Sequence, residues 1–577
     1  MKIIKLKYIL IILMGYLFCN CEKVLDKSSL NSVGEDAVWY DDELADAYIS
    51  GVYNRNLPTW DRGISNRSDE SNGGDAYMYG QLTESSVNTW RYSEIRGINI
   101  LLANIGKGTV SAPVKNKIKG EAYFFRAWTY FIMVRDYGGV PLILEPQKLS
   151  DDLFVTRAKT SEVIAQIISD LDSAIVLLPT VTATSGENKG RVHKGTAMAV
   201  KGRVLLYWAS PQFDPTQSAA GRWQAAYDAN KTALDFLKAN GFGLLSEFKN
   251  IWITEMNKEV IFATRYEYPL KPEPTNWINA TRPLDMSSGA SGGNQPSLEM
   301  VNAFPMKDGK AITDLTSAYT YKPGFFWQNR DPRFAKTIVY NGCKYELSGL
   351  TGRIQWTYVG SEVNSPTATG FYCRKAVNES KDVPPLITGT SDLDFVALRY
   401  AEVMLNLAEA ANKIGNSTEA YDQLKGIRAR AGIDAGTSTM YGLAPGMSQV
   451  LMQKAILWER QIELAFENHR YWDLRRNRTF ESLLNGTRRH GYWTKLRVPS
   501  AQWNGVVNSM SSQALLDLLS TKYTDYFRDS TIVIDRQFNI NWKPEYYFYA
   551  IPTTHIQQNA NLKQTLGWPT GTFDPLL

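Results

Sequence analysis

The sequence predicts a mostly α-helical protein whose scaffold consists of tetratricopeptide-like helical repeats, with long irregular loop-rich insertions and minor β structure. Two observations lead to this prediction. Helical runs of similar length recur in pairs, with alanine where two helices would approach closely. Stretches rich in Gly, Asn, Ser, Pro, Tyr and Trp separate these runs and are too long to be simple connections. The strict repeat signature is absent, so we expect degenerate repeats.

The composition is that of a folded globular protein, because 44% of the 577 residues are hydrophobic and 21% are charged. The formal charge is +5, and removal of Lys2, Lys5 and Lys7 with the N-terminal segment would leave about +2. This balance argues against a nucleic-acid partner, which usually requires a concentrated basic face. The 16 Trp and 31 Tyr are numerous, and aromatic rings in polar loops can stack on the C–H faces of sugars.

The N-terminus is predicted to be a lipoprotein signal peptide over residues 1–20. Three lysines precede an apolar run from Tyr8 to Phe18, which is too short to span a bilayer comfortably. The run ends at cysteine, so we expect Cys21 to carry the lipid. Cys19 is the alternative acceptor, and an ordinary signal with incidental cysteines is the alternative interpretation. The mature chain, residues 21–577, is expected to attach to the membrane through acyl chains alone.

Two cysteines follow the predicted lipid site, Cys343 and Cys373. Export would place them in a compartment that permits disulfides. A disulfide and two free buried thiols are both compatible with the sequence.

The first strong helical run extends from Asn116 to Arg135 and is apolar nearly all round, which is typical of a helix buried on most faces. A turn that contains Gly138 and Pro141 ends it. A second helix is predicted from Ser161, a favourable N-cap, to Leu178, with apolar residues spaced three and four apart.

Two helical hairpins and a last long helix are predicted further along. Their ranges are Lys194–Ala209 with Trp223–Lys238, Leu398–Ile414 with Ser417–Ala431, and Ser448–Asn468. We expect the helical scaffold mainly in residues 92–240 and 395–480, a loop-rich ligand lobe mainly in 241–390, and a C-terminal segment in 481–577. Long loops on a rigid scaffold are where binding usually occurs.

A series of short motifs runs in order along the chain. They are Gly120–Ala127, Tyr130–Leu142, Arg330–Phe334, Arg399–Ala410, Ile427–Gly432, Glu459–Arg476 and Ala550–Pro552. Together these motifs resemble the SusD/RagB family over essentially the whole mature chain. The tail departs from the pattern, because Gln564-Thr565-Leu566-Gly567-Trp568 stands where the family more often has Gln-Asn-Pro-Gly-Trp.

The resemblance implies an α-helical scaffold on a lipid-anchored protein at the surface of an outer membrane. Members of this family lie as a lid over a SusC-like TonB-dependent transporter barrel and deliver captured oligosaccharide, or peptide in some members. We therefore expect a non-enzymatic glycan-binding protein with no cofactor, no metal and no nucleic-acid partner. A peptide-binding member of the same family and a surface glycoside hydrolase are the alternatives.

Three glutamates lie on one predicted helix face, because Glu459, Glu463 and Glu467 are spaced four apart. Paired carboxylates are what a glycosidase uses. Arginines surround these glutamates in the sequence, so ion pairing that orders the scaffold is the preferred interpretation. Arg126, inside an apolar helix, also requires a partner, for which Glu402, Glu409 and Glu463 are candidates.

Two other patterns, one for a serine hydrolase and one for a zinc site, lack the surrounding sequence that each site requires. Gly289–Gly293 fits G-x-S-x-G, but no strand precedes it and no helix follows it, as a nucleophile elbow requires. The four histidines lack the spacing of a zinc site.

The candidate ligand-binding residues lie in the loops. Polar side chains of the first loop, among them Asp61, precede a tryptophan at a helix start. By analogy with the family, residues of the first loop and of the middle insertions combine into one binding face. The predicted ligand-binding residues are Asp69, Glu70, Trp90, Trp277, Tyr372 and Arg374. For Trp90, packing of the following helix is an equally good interpretation, and for the others ordinary loop packing or contact with the transporter is.

Overall fold

The computed structural model describes residues 35–577 except 186–189, 275–276, 278–280, 284–291, 363–365 and 380–390. The predicted signal peptide, the predicted lipid acceptor Cys21 and most of the Gly289–Gly293 motif therefore lie outside the described residues. In the part of the chain that is described, no helix is both long enough and apolar enough to cross a membrane.

The N-terminal half is a series of helices that pack on their neighbours in sequence. They are α1 (Asp42–Asn56), α2 (Arg62–Ser65), α3 (Asp75–Met78), α4 (Tyr92–Asn104), α5 (Ala112–Tyr137), α6 (Thr160–Leu177), α7 (Lys194–Ala209) and α8 (Ala220–Ala239). Helix α5 is buried along most of its length, as its apolar surface predicts, and it packs against α1, α4 and α6.

Helices of the second half complete the same stack. The elements from residue 260 onward that belong to this part are β1 (Val260–Thr264), β6 (Phe395–Arg399), α11 (Tyr400–Lys413), α12 (Ser417–Ala431), α13 (Gln449–Glu463), α14 (Arg470–Arg476) and α15 (Phe480–Leu484). Helix α11 packs on α8, α12 and α13, so the two predicted hairpins are confirmed and adjoin each other. Strand β6 pairs antiparallel with β1.

A second hydrophobic core lies in the loop-rich lobe, and a third, smaller one lies beneath the C-terminal segment. Short antiparallel pairs, β2–β5, β3–β4 and β7–β8, are the only other sheets among the described residues. The elements are α9 (Leu298–Ala303), α10 (Phe334–Thr337), β2 (Ile338–Val339), β3 (Cys343–Lys344), β4 (Ile354–Gln355), β5 (Tyr372–Cys373), β7 (His490–Leu496), α16 (Ser500–Ser509), α17 (Ser512–Tyr526), β8 (Phe527–Val533) and α18 (Thr553–Gln558).

Cys343 and Cys373 are free thiols, and both are buried in the core of the loop-rich lobe. Burial raises the pKa of the Cys373 thiol to about 12. Of the two possibilities that the sequence left open, the structure shows the free thiols.

The predicted partners of Arg126 were wrong. Its guanidinium makes a bidentate ion pair with Asp170 of α6, with Nε–Oδ2 and Nη2–Oδ1 distances of 2.7 Å. Nη1 also donates to the Asn99 side chain at 3.1 Å. Arg126 therefore joins α5 to the next helix in the sequence, and the glutamates proposed for it have other partners.

The glutamate cluster, which consists of Glu459, Glu463 and Glu467, is buried and fully paired. Its partner cations come from β6, from α12 and from the loop-rich lobe. The contacts are Arg333–Glu459 (2.7 Å), Arg428–Glu459 (2.7 Å), Arg333–Glu463 (2.7 Å), Arg399–Glu463 (2.7 Å), Arg430–Glu463, Arg399–Glu467 (2.7 Å) and Lys375–Glu467 (2.6 Å). This confirms the interpretation that these carboxylates order the scaffold.

The electrostatics of the cluster favour ionised carboxylates. Burial alone would raise the pKa of Glu463, but the guanidiniums of Arg430 and Arg399 outweigh it and hold that pKa well below the ordinary value. The cluster therefore stays charged at neutral pH and connects four separate segments of the chain to α13.

The last long helix ends at Glu463, five residues before its predicted end. A turn over residues 464–469 follows, in which Phe466 and Asn468 have left-handed backbone conformations with φ of 59° and 66°. The first loop stabilises this turn, because Glu70 Oε1 accepts the Phe466 amide hydrogen at 2.7 Å. Asp69 makes a bidentate pair with Arg470, with both distances 2.8 Å.

We expect Glu463→Gln to lower the free energy of unfolding by about 3–5 kcal/mol, because three buried guanidiniums lose their shared anion. Urea unfolding at pH 7 measures the change. Lys454→Gln, at an exposed position of the same helix, is the control and should stay within about 0.5 kcal/mol. A loss for Glu463→Gln as small as that of the control would contradict the role of the cluster.

The stability of the protein should also depend on pH through Glu70. Burial raises the pKa of its carboxyl to about 7 from an ordinary 4.5. Between these two values the native state keeps a proton that the unfolded state has lost, so the free energy of unfolding falls as pH rises through this window.

Glu70→Gln cannot lose that proton and keeps an oxygen for the Phe466 amide. We expect its free energy of unfolding, relative to the parent, to rise by roughly 2 kcal/mol between pH 5 and pH 8. Urea unfolding at the two pH values tests this, with Glu247→Gln at an exposed site as the control. A parent-to-variant difference that is equal at both pH values would show that Glu70 titrates normally.

Candidate functional site

A cleft of about 450 Å³, here called the central cleft, opens between the two halves of the helical scaffold. One wall is the end of α1 with the loop that follows, and a second is the segment Ser86–Arg91. The C-terminal part of α5 and the turn residues Glu467–His469 complete the walls. The cleft therefore lies where the first loop meets the turn that the glutamate cluster anchors.

Guanidinium groups stack on aromatic rings at the walls of the cleft. The Arg67 guanidinium carbon lies 4.2 Å from the centre of the Tyr77 ring, and that of Arg135 lies 3.3 Å from the centre of the Trp472 ring. A stacked guanidinium keeps its N–H groups free in the plane of the fork. The walls thus combine flat apolar surfaces with oriented hydrogen-bond donors.

Two buried polar atoms of the cleft lining have no hydrogen-bond partner in the described part of the chain. They are the indole nitrogen Nε1 of Trp128, a donor, and the amide oxygen Oδ1 of Asn468, an acceptor. Buried polar groups are normally paired, and an unpaired one costs about 1–3 kcal/mol. Unpaired donors and acceptors on residues that line a cleft are typical of a binding site for a polar ligand.

The carboxylates of the cleft lining are engaged in the fold. Asp136 pairs with Arg475 at 3.3 Å, and Glu467 belongs to the glutamate cluster. Asp61 caps α2 by accepting the Gly63 amide hydrogen at 2.8 Å. Burial lowers the pKa of His469 to about 4, so its imidazole is neutral at pH 7. The arrangement suits binding better than acid–base chemistry.

Trp90 lies beside a smaller cleft of about 160 Å³. Its partly buried ring stacks on His555 with centroids 5.3 Å apart and packs edge-on against Tyr137. The segment Ser86–Arg91 borders both clefts, since Asn88 lines the central cleft and its Oδ1 lies 3.2 Å from His555 Nε2. Trp90 is therefore both a packing residue and part of an open surface next to the central cleft.

The other residues predicted in the first loop are not on the cleft surface. Asp69 and Glu70 are buried, and their carboxylates hold Arg470 and the Phe466 amide. In this structure they support the turn that forms one wall of the central cleft. Direct ligand contact by Asp69 or Glu70 stays a prediction that their burial does not favour.

Two of the three predicted residues of the middle insertions, Trp277 and Tyr372, lie in the core of the loop-rich lobe, and Arg374 is partly buried. Trp277 is fully buried and stacks on Trp60 with centroids 4.3 Å apart. Tyr372 belongs to β5, where it is 1% exposed. Arg374 makes a bidentate pair with Glu379, both distances being 2.9 Å. The structure does not bring these three to the central cleft, and ligand contact by them also stays a prediction.

Sequence reasoning missed most of the central cleft. Asp61 was among the first-loop candidates and does line it, but Arg67, Tyr77, Trp128 and Asn468 were not identified. Trp128 lies in the apolar helical run Asn116–Arg135, which predicts a buried helix, and nothing in the sequence shows that its side chain lines a cleft. Within the described ranges, no group of His, Cys, Asp and Glu side chains is arranged to hold a metal ion.

Two family models match this chain. The model described as "SusD family" matches residues 251–568, and the model described as "Starch-binding associating with outer membrane" matches residues 20–206. SusD-like protein P38 of Formosa agariphila is 26% identical over 84% of this chain and 94% of its own length. A SusD-like protein of Bacteroides ovatus is 22% identical over 97% of both chains.

Solved structures share the fold. A SusD-like protein of Bacteroides fragilis superposes with a TM-score of 0.74 at 24% identity, covering 94% of this chain and all of its own. A SusD-like carbohydrate binding protein of the same species gives 0.70 at 19% identity, over 91% of this chain and all of its own. A laminarin binding SusD-like protein gives 0.60 at 20% identity, over 92% and 100%. The match of a family model to more than half of the sequence shows that this chain belongs to the SusD family.

Proposed function

We propose that this protein binds oligosaccharide or polysaccharide without turning it over and delivers it to a TonB-dependent outer-membrane transporter. The observation that carries the binding proposal is the central cleft, in which unpaired buried polar atoms lie among aromatic rings. The relatives described as carbohydrate binding and laminarin binding, and the family model described as starch-binding, support the same ligand class.

The chemistry of the cleft fits a sugar. Each pyranose hydroxyl both donates and accepts hydrogen bonds, so a donor such as Trp128 Nε1 and an acceptor such as Asn468 Oδ1 can both be satisfied by one ligand. Trp90, at the adjoining smaller cleft, supplies an aromatic surface on which a neighbouring sugar unit of the same chain could stack.

Binding without cleavage is favoured by the state of the carboxylates. A glycosidase needs two carboxyl groups on either side of the scissile bond, one of them with a raised pKa. Asp136 and Glu467 are tied to arginines, and Asp61 caps a helix at the exposed edge of the cleft. The guanidinium of Arg399 and the ammonium of Lys375 hold the pKa of Glu467 below its ordinary value.

Transport and location complete the proposal. Lipid attachment at Cys21 would hold the protein at the outer membrane, which agrees with the family description "associating with outer membrane". A SusC-like barrel is the proposed partner, since the SusD/RagB resemblance implies such a pair. A peptide-binding function and a surface hydrolase are the alternatives that the following experiment separates.

We expect Asn468→Gly to weaken glycan binding by about tenfold, because one buried hydrogen bond to the ligand is lost. Glycine adopts the left-handed conformation of residue 468 readily, so the turn is retained while the amide is removed. Calorimetric titration with a panel of starch, laminarin and uronate oligosaccharides and of peptides measures the effect.

Asn329→Gly is the matched control, because Asn329 is an exposed asparagine with φ of 52° outside the cleft. It should bind as the parent does. Equal affinity of Asn468→Gly and the parent would remove the central cleft from the proposal. Binding of peptides alone, or release of shorter sugars during the titration, would support the alternatives instead.

A further inference from the structure

Arginines of the central cleft have hydrogen-bond capacity that the fold does not use. The Arg67 and Arg91 guanidiniums donate no hydrogen bond and form no salt bridge within the described residues, although both side chains are partly buried. Arg135 donates through Nε to Asp136 at 3.2 Å, and its two terminal nitrogens have no acceptor in the same ranges. The fourth arginine of the lining, Arg203, is fully engaged by Glu402.

The charges of the lining do not cancel once paired groups are set aside. Arg203 pairs with Glu402, Glu467 pairs with Arg399 and Lys375, and Asp136 is shared by Arg135 and Arg475. The guanidiniums of Arg67 and Arg91 then stand against one remaining carboxylate of the lining, the exposed Asp61. His469 adds no charge at neutral pH because burial keeps its pKa near 4. An excess of positive charge therefore remains in the cleft.

The guanidiniums of Arg67 and Arg135 are oriented in advance of any ligand. Arg67 lies on Tyr77, and Arg135 lies on Trp472, which restricts the rotation of each guanidinium. The Arg91 backbone is held at the start of α4, where its amide donates to the Met133 sulfur at 3.4 Å. A planar fork of N–H groups held in this way matches the two oxygens of a carboxylate or the oxygens of a sulfate.

We propose that the central cleft selects acidic glycans, in which an oxyanion on the sugar, such as the carboxylate of a hexuronate, binds Arg67, Arg91 and Arg135. The proposal rests on the glycan-binding function and names the class of sugar. It requires that neutral sugars bind more weakly, because they leave the guanidiniums without a counter-charge in a partly desolvated site.

The test compares one oligouronate with its carboxyl-reduced counterpart, which has the same backbone and linkage but no charge. Calorimetric titration of the full mature protein should give at least about tenfold tighter binding of the oligouronate. That difference should shrink as NaCl rises from 50 to 500 mM, as expected for an ionic contact (roughly 10 Å screening length at 0.1 M). A sulfated neutral oligosaccharide in the same titration distinguishes sulfate from carboxylate as the source of the oxyanion.

Arg91→Gln and Arg67→Gln should each weaken oligouronate binding by about tenfold and change binding of the reduced sugar by less than about twofold. Neither guanidinium donates a hydrogen bond or forms a salt bridge within the described residues, so both variants should stay folded. Arg55→Gln, an exposed arginine on α1 that does not line the cleft, removes the same charge and should bind like the parent.

The outcomes separate the two proposals. Equal binding of the oligouronate and its reduced form overturns the selection of acidic glycans but leaves glycan binding intact. Failure of every glycan to bind, or binding of acidic peptides alone, overturns both. Tight binding of the sulfated sugar alone supports the oxyanion site and assigns it to sulfate.

Discussion

The structure depends on the neutralisation of three buried glutamates on and just beyond α13. Glu459, Glu463 and Glu467 receive cations from β6, from α12 and from the loop-rich lobe, so one set of ion pairs joins the second half of the scaffold to the lobe. Breaking a buried ion pair on one side costs about 3–5 kcal/mol because the other charge remains uncompensated. The turn that follows α13 is therefore anchored by this cluster through Glu467.

The same constraint shapes the central cleft. Glu467 is both the last member of the cluster and part of the turn over residues 464–469 that forms a wall, and Glu70 also holds this turn through the Phe466 amide. Motifs that identify the family thus position the site, and side chains of its lining carry polar atoms that have no hydrogen-bond partner within the described residues. Arg67, Trp128 and Asn468 are examples.

Periodicity and caps were sufficient to predict the helical scaffold from the sequence, and the ranges 194–209 and 417–431 agree with the structure residue for residue. Local patterns carry no information about contacts such as that of Glu70 with Phe466, which are 396 positions apart. For this reason polar loop residues such as Asp69 were predicted to face a ligand although they face an arginine. The partner of Arg126 was missed for a related reason: Asp170 is a polar residue of an amphipathic helix, and its inward direction follows from packing rather than from sequence.

The central claim is that the ion-pair cluster fixes the turn that forms the cleft. Backbone hydrogen exchange across residues 464–469 in Glu467→Gln tests it most directly, with helix α12 as an internal reference. Loss of the charge shared by Arg399 and Lys375 should speed exchange in the turn by about tenfold or more, which corresponds to about 1.4 kcal/mol of local stability, and leave α12 unchanged. A folded variant whose turn exchanges as slowly as that of the parent would contradict the account.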